Sequence, residues 1–352
     1  MTPSDRGRVV KQLAAEVGFD VCGIAAAGPI ARGDYLRAWL AAGRPGSMSY
    51  LQRHLESRLD PRALLPEARS VVVAGLSYRQ SAPAPPDDRP RGRVAMYAWG
   101  DDYHEVVRDK LDRLVYELRR ALAEPFAAKV CCDTSAIVER ELAASAGVGW
   151  IGKNTLVLNE RIGSFFVLGE ILTSLELAPD EPVADHCGSC RRCLDACPTQ
   201  AFPAAYQLDP RRCISYLTIE QRGQIDPALE GAMGDWVFGC DICQQVCPFN
   251  RDSPATREPR FAIRPPGPHP VLDEIDRWTK RTYNAATGGS ATARARLSMW
   301  RRNAAIARRN VSPAHADGEP ADPSDAIRPP ECRGDAARAG PPPSTQRRFP
   351  AG

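Results

Sequence analysis

Apolar residues recur at helical spacing in residues 4–18, where Val9, Val10, Leu13, Ala14 and Val17 share one face, and this predicts an amphipathic helix. Val21–Ala25 reads as a short strand. Residues 31–42 return to helical spacing with Leu36, Trp39 and Leu40 inward, and Met48 begins another short helix. Ser57-Arg58-Leu-Asp60-Pro61-Arg62 reads as a polar turn. Residues 70–76 form an unbroken apolar run of buried-strand length, and residues 80–92 are a proline-rich loop expected to be mobile. The longest periodic segment is 102–123, with Leu111, Leu114, Val115 and Leu118 as its stripe and Asp101 or Asp102 placed to cap it. Ala128–Cys132 and Ser164–Thr173 read as strands flanking a helix that begins after Asp133. Strands alternating with helices predict an α/β (α+β) domain over residues 1–179, built on a mixed sheet.

The pattern then changes to one set by cysteine. The chain reads Cys187-Gly-Ser-Cys190-Arg-Arg-Cys193-Leu-Asp-Ala-Cys197-Pro198, then Cys213, then Cys240-Asp-Ile-Cys243-Gln-Gln-Val-Cys247-Pro248. The first run has the bacterial ferredoxin spacing, in which the fourth cysteine serves the other cluster. Cys187, Cys190, Cys193 and Cys247 are therefore expected on one [4Fe–4S] cluster, and Cys197, Cys213, Cys240 and Cys243 on a second. Zinc is the rival, but paired C-x2-C zinc sites rarely carry this run. Disulfides would require an oxidising compartment. A ferredoxin-like domain over residues 180–255 is a short electron wire, and a wire needs an acceptor elsewhere in the chain.

At 352 residues the chain has room for two or three domains, and 43% apolar with 25% charged residues is ordinary for a soluble protein. Of twelve cysteines, Cys22, Cys131, Cys132 and Cys332 lie outside the cluster pattern. No apolar leader, twin-arginine signal or membrane-length run is present, so no membrane association and a reduced, cytoplasmic compartment are expected. The net charge of +3 says little, but residues 277–316 hold nine Lys or Arg and no Asp or Glu. Residues 256–311 thus read as a basic helical segment, either a solvated face or a nucleic-acid contact in which Arg301 and Arg302 meet phosphates. From 312 to 352, nine of 41 residues are proline and Phe349 is the sole aromatic, which predicts a disordered tail.

Three features have two readings each. Asp133 follows a strand and precedes a helix: it is a helix N-cap, or a carboxyl at a ligand-binding strand edge whose pKa an apolar pocket would raise. Glu139 lies too far along to complete a capping box with it. Gly147-x-Gly149-x-x-Gly152 follows a helix and precedes a strand, the wrong order for a dinucleotide turn, so its glycines serve close approach of a flat ligand or another strand. His104, at a helix start, reads as structural.

Longer motifs carry a resemblance. They are Tyr97-Ala-x-Gly-x-Asp-Tyr-His104, Asp133-x-Ser-x-x-x-Glu-Arg-x-Leu-Ala143, Ala146-Gly-Val-Gly-Trp-Ile-Gly-Lys-Asn154 and Gly163-Ser-Phe-Phe-x-Leu-Gly-Glu170. Leu208-Asp-x-Arg-Arg-Cys-Ile-Ser-Tyr-Leu-Thr-Ile-Glu220, Gly239-Cys-Asp-x-Cys-Gln244 and Trp300-Arg-Arg-Asn303-Ala-Ala-Ile-Ala307 complete the set. With them the chain resembles the epoxyqueuosine reductases, the cobalamin-dependent enzymes of the last step of queuosine formation in tRNA.

The resemblance implies a cobalamin in the first domain, fed by the clusters from an external low-potential electron donor, and a tRNA bearing epoxyqueuosine as partner of a monomeric enzyme. It implies that Asp133 is the proton donor and adjoins the cobalamin. It further implies that Arg58, Ala95, Val157, Leu168, Ser215, Thr218, Arg222 and Asp241 contact the corrin or its tail. Two departures stand out: Arg308-Arg309 replaces a Leu-Gly pair typical of relatives, and the proline-rich tail replaces helical repeats that some relatives carry. The competing readings are a reductive dehalogenase, a plain ferredoxin-type electron carrier and a tRNA-binding protein with structural clusters.

Overall fold

The apolar run at 70–76 becomes a strand, Ser70–Ser77, that is buried at every position. The structure is a computed structural model and describes residues 1–311; the expected disordered tail and Cys332 lie outside the described residues. In chain order the elements are α1 (Pro3–Val17), β1 (Val21–Ala26), α2 (Gly33–Ala41), α3 (Leu55–Leu59), β2 (Ser70–Ser77), β3 (Arg93–Val94), α4 (Tyr103–Leu122), β4 (Ala128–Cys131) and α5 (Glu139–Ser145). There follow β5 (Trp150–Ile151), β6 (Val157–Leu158), β7 (Phe166–Thr173), α6 (Arg192–Asp195), α7 (Ile214–Ile219), α8 (Pro227–Glu230), β8 (Trp236–Phe238) and α9 (Ile242–Gln245). The last are α10 (Leu272–Arg277), α11 (Lys280–Thr287) and α12 (Leu297–Val311).

Strands order as β1-β2-β7-β4, and every pairing in this sheet is antiparallel. The expected mixture of α and β is present, but the expectation of a mixed sheet is corrected: the parallel pairing described is the two-residue ladder β3–β8. Strand period explains the burial. Val72, Ala74 and Leu76 join one apolar cluster with Val10 and Ala14 of α1 and Leu111 and Leu114 of α4. Val71 and Val73 face the other cluster, with Leu142 and Ala143 of α5. A Cβ at Gly169 would lie 2.4 Å from Val107, so α4 sits directly on β7 there.

Helix ends follow their caps. Thr2 and Asp5 form a capping box on α1, and Gly18 closes it in the left-handed region. Asp102, not Asp101, caps α4 by accepting the His104 N–H. Residues 57–62 are not simply a polar turn, because Ser57 and Arg58 lie in α3. Gly149 settles the glycine-rich motif: its Cβ would fall 2.0 Å from the Leu158 carbonyl, so the second strand of the β5–β6 hairpin needs the space.

The C-terminal helices are part of the main core. Trp300 is fully buried and stacks on Phe238 at 5.6 Å. Asn303 donates to the carbonyls of Thr218 (3.0 Å) and Val237 (2.8 Å). Both side chains belong to the cluster that also holds α1 and α4, or bond to its edge, so the three sequence segments share one interior. Among the described residues no helix is long and apolar enough to cross a membrane.

Candidate active site and cluster cradle

Asp133 lies two residues past the end of β4, in the left-handed region with φ 47°. The next residue folds straight back: the Thr134 N–H donates to the Cys132 carbonyl. The Asp133 N–H donates to the Glu139 carboxylate in the first turn of α5. The N-cap of α5 is Val138, so the cap reading of Asp133 is overturned. Glu139 does reach back, to a backbone six residues earlier, where the sequence suggested it was too distant to help.

The Asp133 side chain is 55% exposed. Atoms nearby still crowd its carboxyl, and burial is the largest single influence on its pKa. Burial would raise its pKa, but the hydrogen bond and charge of His104, the Tyr103 hydroxyl and the charge of Arg294 outweigh it, and the net shift is downward. The expectation of a raised pKa is therefore corrected. His104 Nε2 lies 2.9 Å from Asp133 Oδ2, and its Nδ1 lies 2.6 Å from Asp102 Oδ1. Burial disfavours the imidazolium, yet the two carboxylates prevail and raise His104 to about 9. At neutral pH the row is carboxylate, imidazolium, carboxylate.

Groups drawn from distant segments surround Asp133. The His104 ring stacks on Tyr103 at 4.0 Å, and Tyr103 meets Tyr97 edge-on at 5.9 Å. Arg294 pairs with Glu220 at 2.9 Å, lies over Tyr50 and acts on Asp133. Arg58 also acts on Asp133's surroundings, and its buried Nε has no hydrogen-bond partner. Behind these groups Glu170 is fully buried against Glu139. Burial, with the charge of Glu139 adding to it, pushes Glu170 well up, and burial, with the charge of Asp133 adding to it, raises Glu139 to about 7.

The cysteines gather as two neighbouring quartets. Cys193 feels Cys247, Cys187 and Cys190, whereas Cys240 feels Cys213 and Cys197, and Cys243 feels Cys240, Cys213 and also Cys193. Among the described residues no three His, Cys, Asp or Glu side chains converge on a single ion; each quartet is looser than a mononuclear site. The Ala146–Asn154 motif cradles them. Lys153 Nζ donates to the carbonyls of Gly188 (2.6 Å) and Cys190 (2.9 Å), and the buried Trp150 Nε1 has no acceptor in hydrogen-bond geometry beside Cys187.

The residues implied for a corrin fall into three places. Ala95, Ser215, Thr218 and Asp241 lie by the second quartet: Thr218 Oγ1 accepts the Gly239 N–H at 2.9 Å, and Asp241 accepts the Met96 N–H at 2.7 Å. Burial pushes the Asp241 carboxyl up to about 7. Val157 and Leu168 join the apolar cluster beneath α5, and the Leu168 carbonyl accepts the Cys132 thiol. Arg58 stands by Asp133, while Arg222 is exposed after α7. Tyr97 links the groups, since Asp133 and Asp241 both act on it. Tyr50, Glu220 and Arg294 were not singled out from sequence, and Glu220 had only its place inside a quoted motif as a signal; Glu139 was weighed only as a capping-box partner.

The cysteine arrangement defines an iron–sulfur protein of the double-cluster class. Residues 186–250 match the 4Fe-4S double cluster binding domain family, and residues 58–134 match the family described as epoxyqueuosine reductase QueG, DUF1730. The epoxyqueuosine reductase of Cyclobacterium marinum is 40% identical over 84% of this chain and 94% of its own, and that of Escherichia coli K12 is 39% identical over 86% and 80%. A crystal structure of an epoxyqueuosine reductase with an epoxyqueuosine-modified tRNA-Tyr stem loop superimposes with TM-score 0.81 at 32% identity, over 86% of this chain and 80% of that one. The Streptococcus thermophilus enzyme gives 0.76 at 34%, over 86% and 80%. The chain belongs to the epoxyqueuosine reductase family and is an oxidoreductase.

Proposed function

We propose that the protein reduces epoxyqueuosine to queuosine at the wobble position of tRNA, the final step of queuosine formation, and that Asp133 delivers the protons. The observation that carries the reading is the partly exposed Asp133 carboxyl, open to a ligand yet ringed by Tyr50, Arg58, Tyr103, His104 and Arg294. Removing an epoxide oxygen as water breaks two C–O bonds, forms one C=C bond and consumes two electrons and two protons. The protons must come from a group on the reacting face, and Asp133 is the carboxyl that lies there.

Cys187, Cys190, Cys193 and Cys247 hold one [4Fe–4S] cluster, and Cys197, Cys213, Cys240 and Cys243 the other. The loop of the first quartet sits in a polar cradle that orders it, and the Gly239 N–H before the second is held by Thr218, which fits such groups. The residues present also fit a cobalamin. The orphaned Arg58 Nε awaits an acceptor, and Ala95, Thr218 and Asp241 join the second quartet to the Tyr97 side of the site. When bound, cobalamin would supply low-valent cobalt, a reductant suited to the epoxide-bearing ring. Arg58, Ala95, Asp133, Val157, Leu168, Ser215, Thr218, Arg222 and Asp241 would hold it. Arg294 is fixed by Glu220 and keeps a positive charge where the oxygen departs. Residues 1–179 serve the cobalamin, 180–255 the clusters and 256–311 the tRNA, and a low-potential donor in the cytoplasm reduces the monomer.

The test is direct. Protein purified without oxygen, loaded with cobalamin and a chemical reductant, is mixed with an epoxyqueuosine-modified stem loop. Mass spectrometry should show loss of one oxygen from the base. Retention of the oxygen by protein carrying full iron and cobalt overturns the reading.

A further inference from the structure

The reaction needs two protons, and Asp133 can hold only one. The geometry shows where the other comes from. Asp133 Oδ2, His104 Nε2, His104 Nδ1 and Asp102 Oδ1 form a continuous row with gaps of 2.9 and 2.6 Å across the ring. We infer that His104 is the positioning residue that recharges Asp133, holding a proton on Nε2 while Asp102 fixes the ring through Nδ1. The inference rests on Asp133 being the acid.

The row is built for this task. Asp102 is anchored by a second duty, accepting the His104 backbone N–H at 3.1 Å as the cap of α4. Tyr103 stacks on the ring and prevents it from turning. The ring is 26% exposed and Asp133 is 55% exposed, so the proton path opens toward the reacting face. Of the groups around the row, Asp102 and Asp133 face the imidazole directly. Arg294, Arg58, Glu139, Tyr50, Tyr97, Tyr103 and Cys132 face Asp133.

With the charged His104 beside it the Asp133 carboxyl is held low and carries no proton at neutral pH, so its proton has to arrive during turnover. In the inferred sequence the Nε2–H bond breaks as the Asp133 O–H bond forms, and Asp133 passes that proton to the departing oxygen. Two such transfers accompany two electrons from the external donor. The first takes the imidazolium proton, and solvent at the partly exposed ring restores it before the second. The products are one C=C bond and one water.

The experiment is a pH series of single-turnover reactions with pre-reduced, cobalamin-loaded protein and the modified stem loop. The parent should hold its rate up to about 9 and fall above it. His104→Gln should lose about 10²-fold at neutral pH, and its fall should move to the acid side of the parent's, since only a carboxyl, freed of the His104 charge that depresses it, remains to titrate. Asp102→Asn still caps α4, because Asn caps as well as Asp, and should move the fall below about 9. Imidazole added to His104→Ala should restore rate. In parallel, histidine-selective NMR of the oxidised holoprotein should show His104 titrating near 9 in the parent and lower in Asp133→Asn. A uniform loss with an unmoved pH limb makes His104 merely structural and overturns the inference, as does titration at the ordinary imidazole value. An inactive Asp133→Asn beside a parent-like His104→Gln profile removes the relay but keeps the acid. An active Asp133→Asn removes the acid itself.

Discussion

The backbone N–H of Asp133 donates to the carboxylate of Glu139, so this site residue is held by a helix that begins six residues later. Glu139 in turn is backed by the fully buried Glu170. The tight return of the chain at Thr134, together with φ 47° at Asp133, makes this latch the loop's main restraint. In the Bacillus subtilis enzyme a structure exists with its catalytic aspartate loop swung out of the active site.

The latch yields the first prediction. Glu139→Ala orphans the Asp133 N–H and should lower turnover by up to about 10²-fold, the cost of misplacing a catalytic group by about 1 Å. Glu139→Gln keeps an acceptor for that N–H and should stay near the parent. Glu139 also has a pH signature. Its pKa is raised from 4.5 to about 7, so the stability it contributes is complete below 4.5 and is lost as pH rises through about 7. Thermal melting points across that window should decline in the parent and flatten in Glu139→Gln. Equal slopes in both would show that Glu139 is ionised throughout.

The second prediction concerns the interleaved quartets. Cys247→Ser should disturb the same cluster as Cys190→Ser, while Cys197→Ser should disturb the other. Electron paramagnetic resonance of the reduced variants separates the two signals. If Cys190→Ser and Cys197→Ser keep the same surviving signal, the pairing is wrong. The quartets could be read from sequence because ligand spacing on one short loop is local. Cys193 stands near Cys187, Cys190 and Cys247, and Cys240 near Cys197 and Cys213, while Cys243 stands near Cys193 as well as Cys213 and Cys240. The cradle could not be read. Lys153 lies 35 and 37 residues from the carbonyls it bonds, and nothing at those positions marks the partnership.

The same limit hid most of the site. The strand before Asp133 and the helix from Tyr103 were both visible as periodic segments, but their meeting at His104 is a contact across 29 residues. Antiparallel order was hidden for a related reason: fully buried strands carry no alternation to report which neighbour they pair with. The strands β3 and β8, of two and three residues, are too short for any pattern to show.

Basic residues near the C-terminus divide by what they touch, and this gives the third prediction. Arg302 donates to the carbonyls of Leu217 and Gly223, and Arg308 and Arg309 pair with Asp273, Asp276 and Glu230. The Arg308-Arg309 departure is thus tied into the fold, and Arg302 is not the phosphate contact expected from sequence. Arg281 and Arg296 are exposed with no such bonds. Replacing Arg281 and Arg296 together by Gln should weaken tRNA binding and lower its salt slope by up to about two. Arg302→Gln should leave that slope unchanged and lower the melting point. A reversed outcome in fluorescence-anisotropy salt titrations would place the RNA elsewhere.

The last prediction isolates the carboxyl of Asp133. Asn is the informative replacement. It has the same shape, tolerates the left-handed φ of 47°, and keeps an oxygen for the His104 Nε2–H. Ala would add a backbone penalty of about 1–2 kcal/mol and confuse stability with chemistry. Because α5 is capped at Val138, no helix cap is lost in the exchange, and Asp133→Asn should melt close to the parent. It should retain both clusters by absorbance and bind cobalamin with the parent's stoichiometry. What it cannot do is release a proton at neutral pH. General acid catalysis contributes about 10²–10⁴-fold, so single-turnover reduction of the modified stem loop should slow within that range while stem-loop binding is unchanged. A rate within a few-fold of the parent would leave His104, 2.9 Å away and already charged, as the group that meets the epoxide oxygen directly.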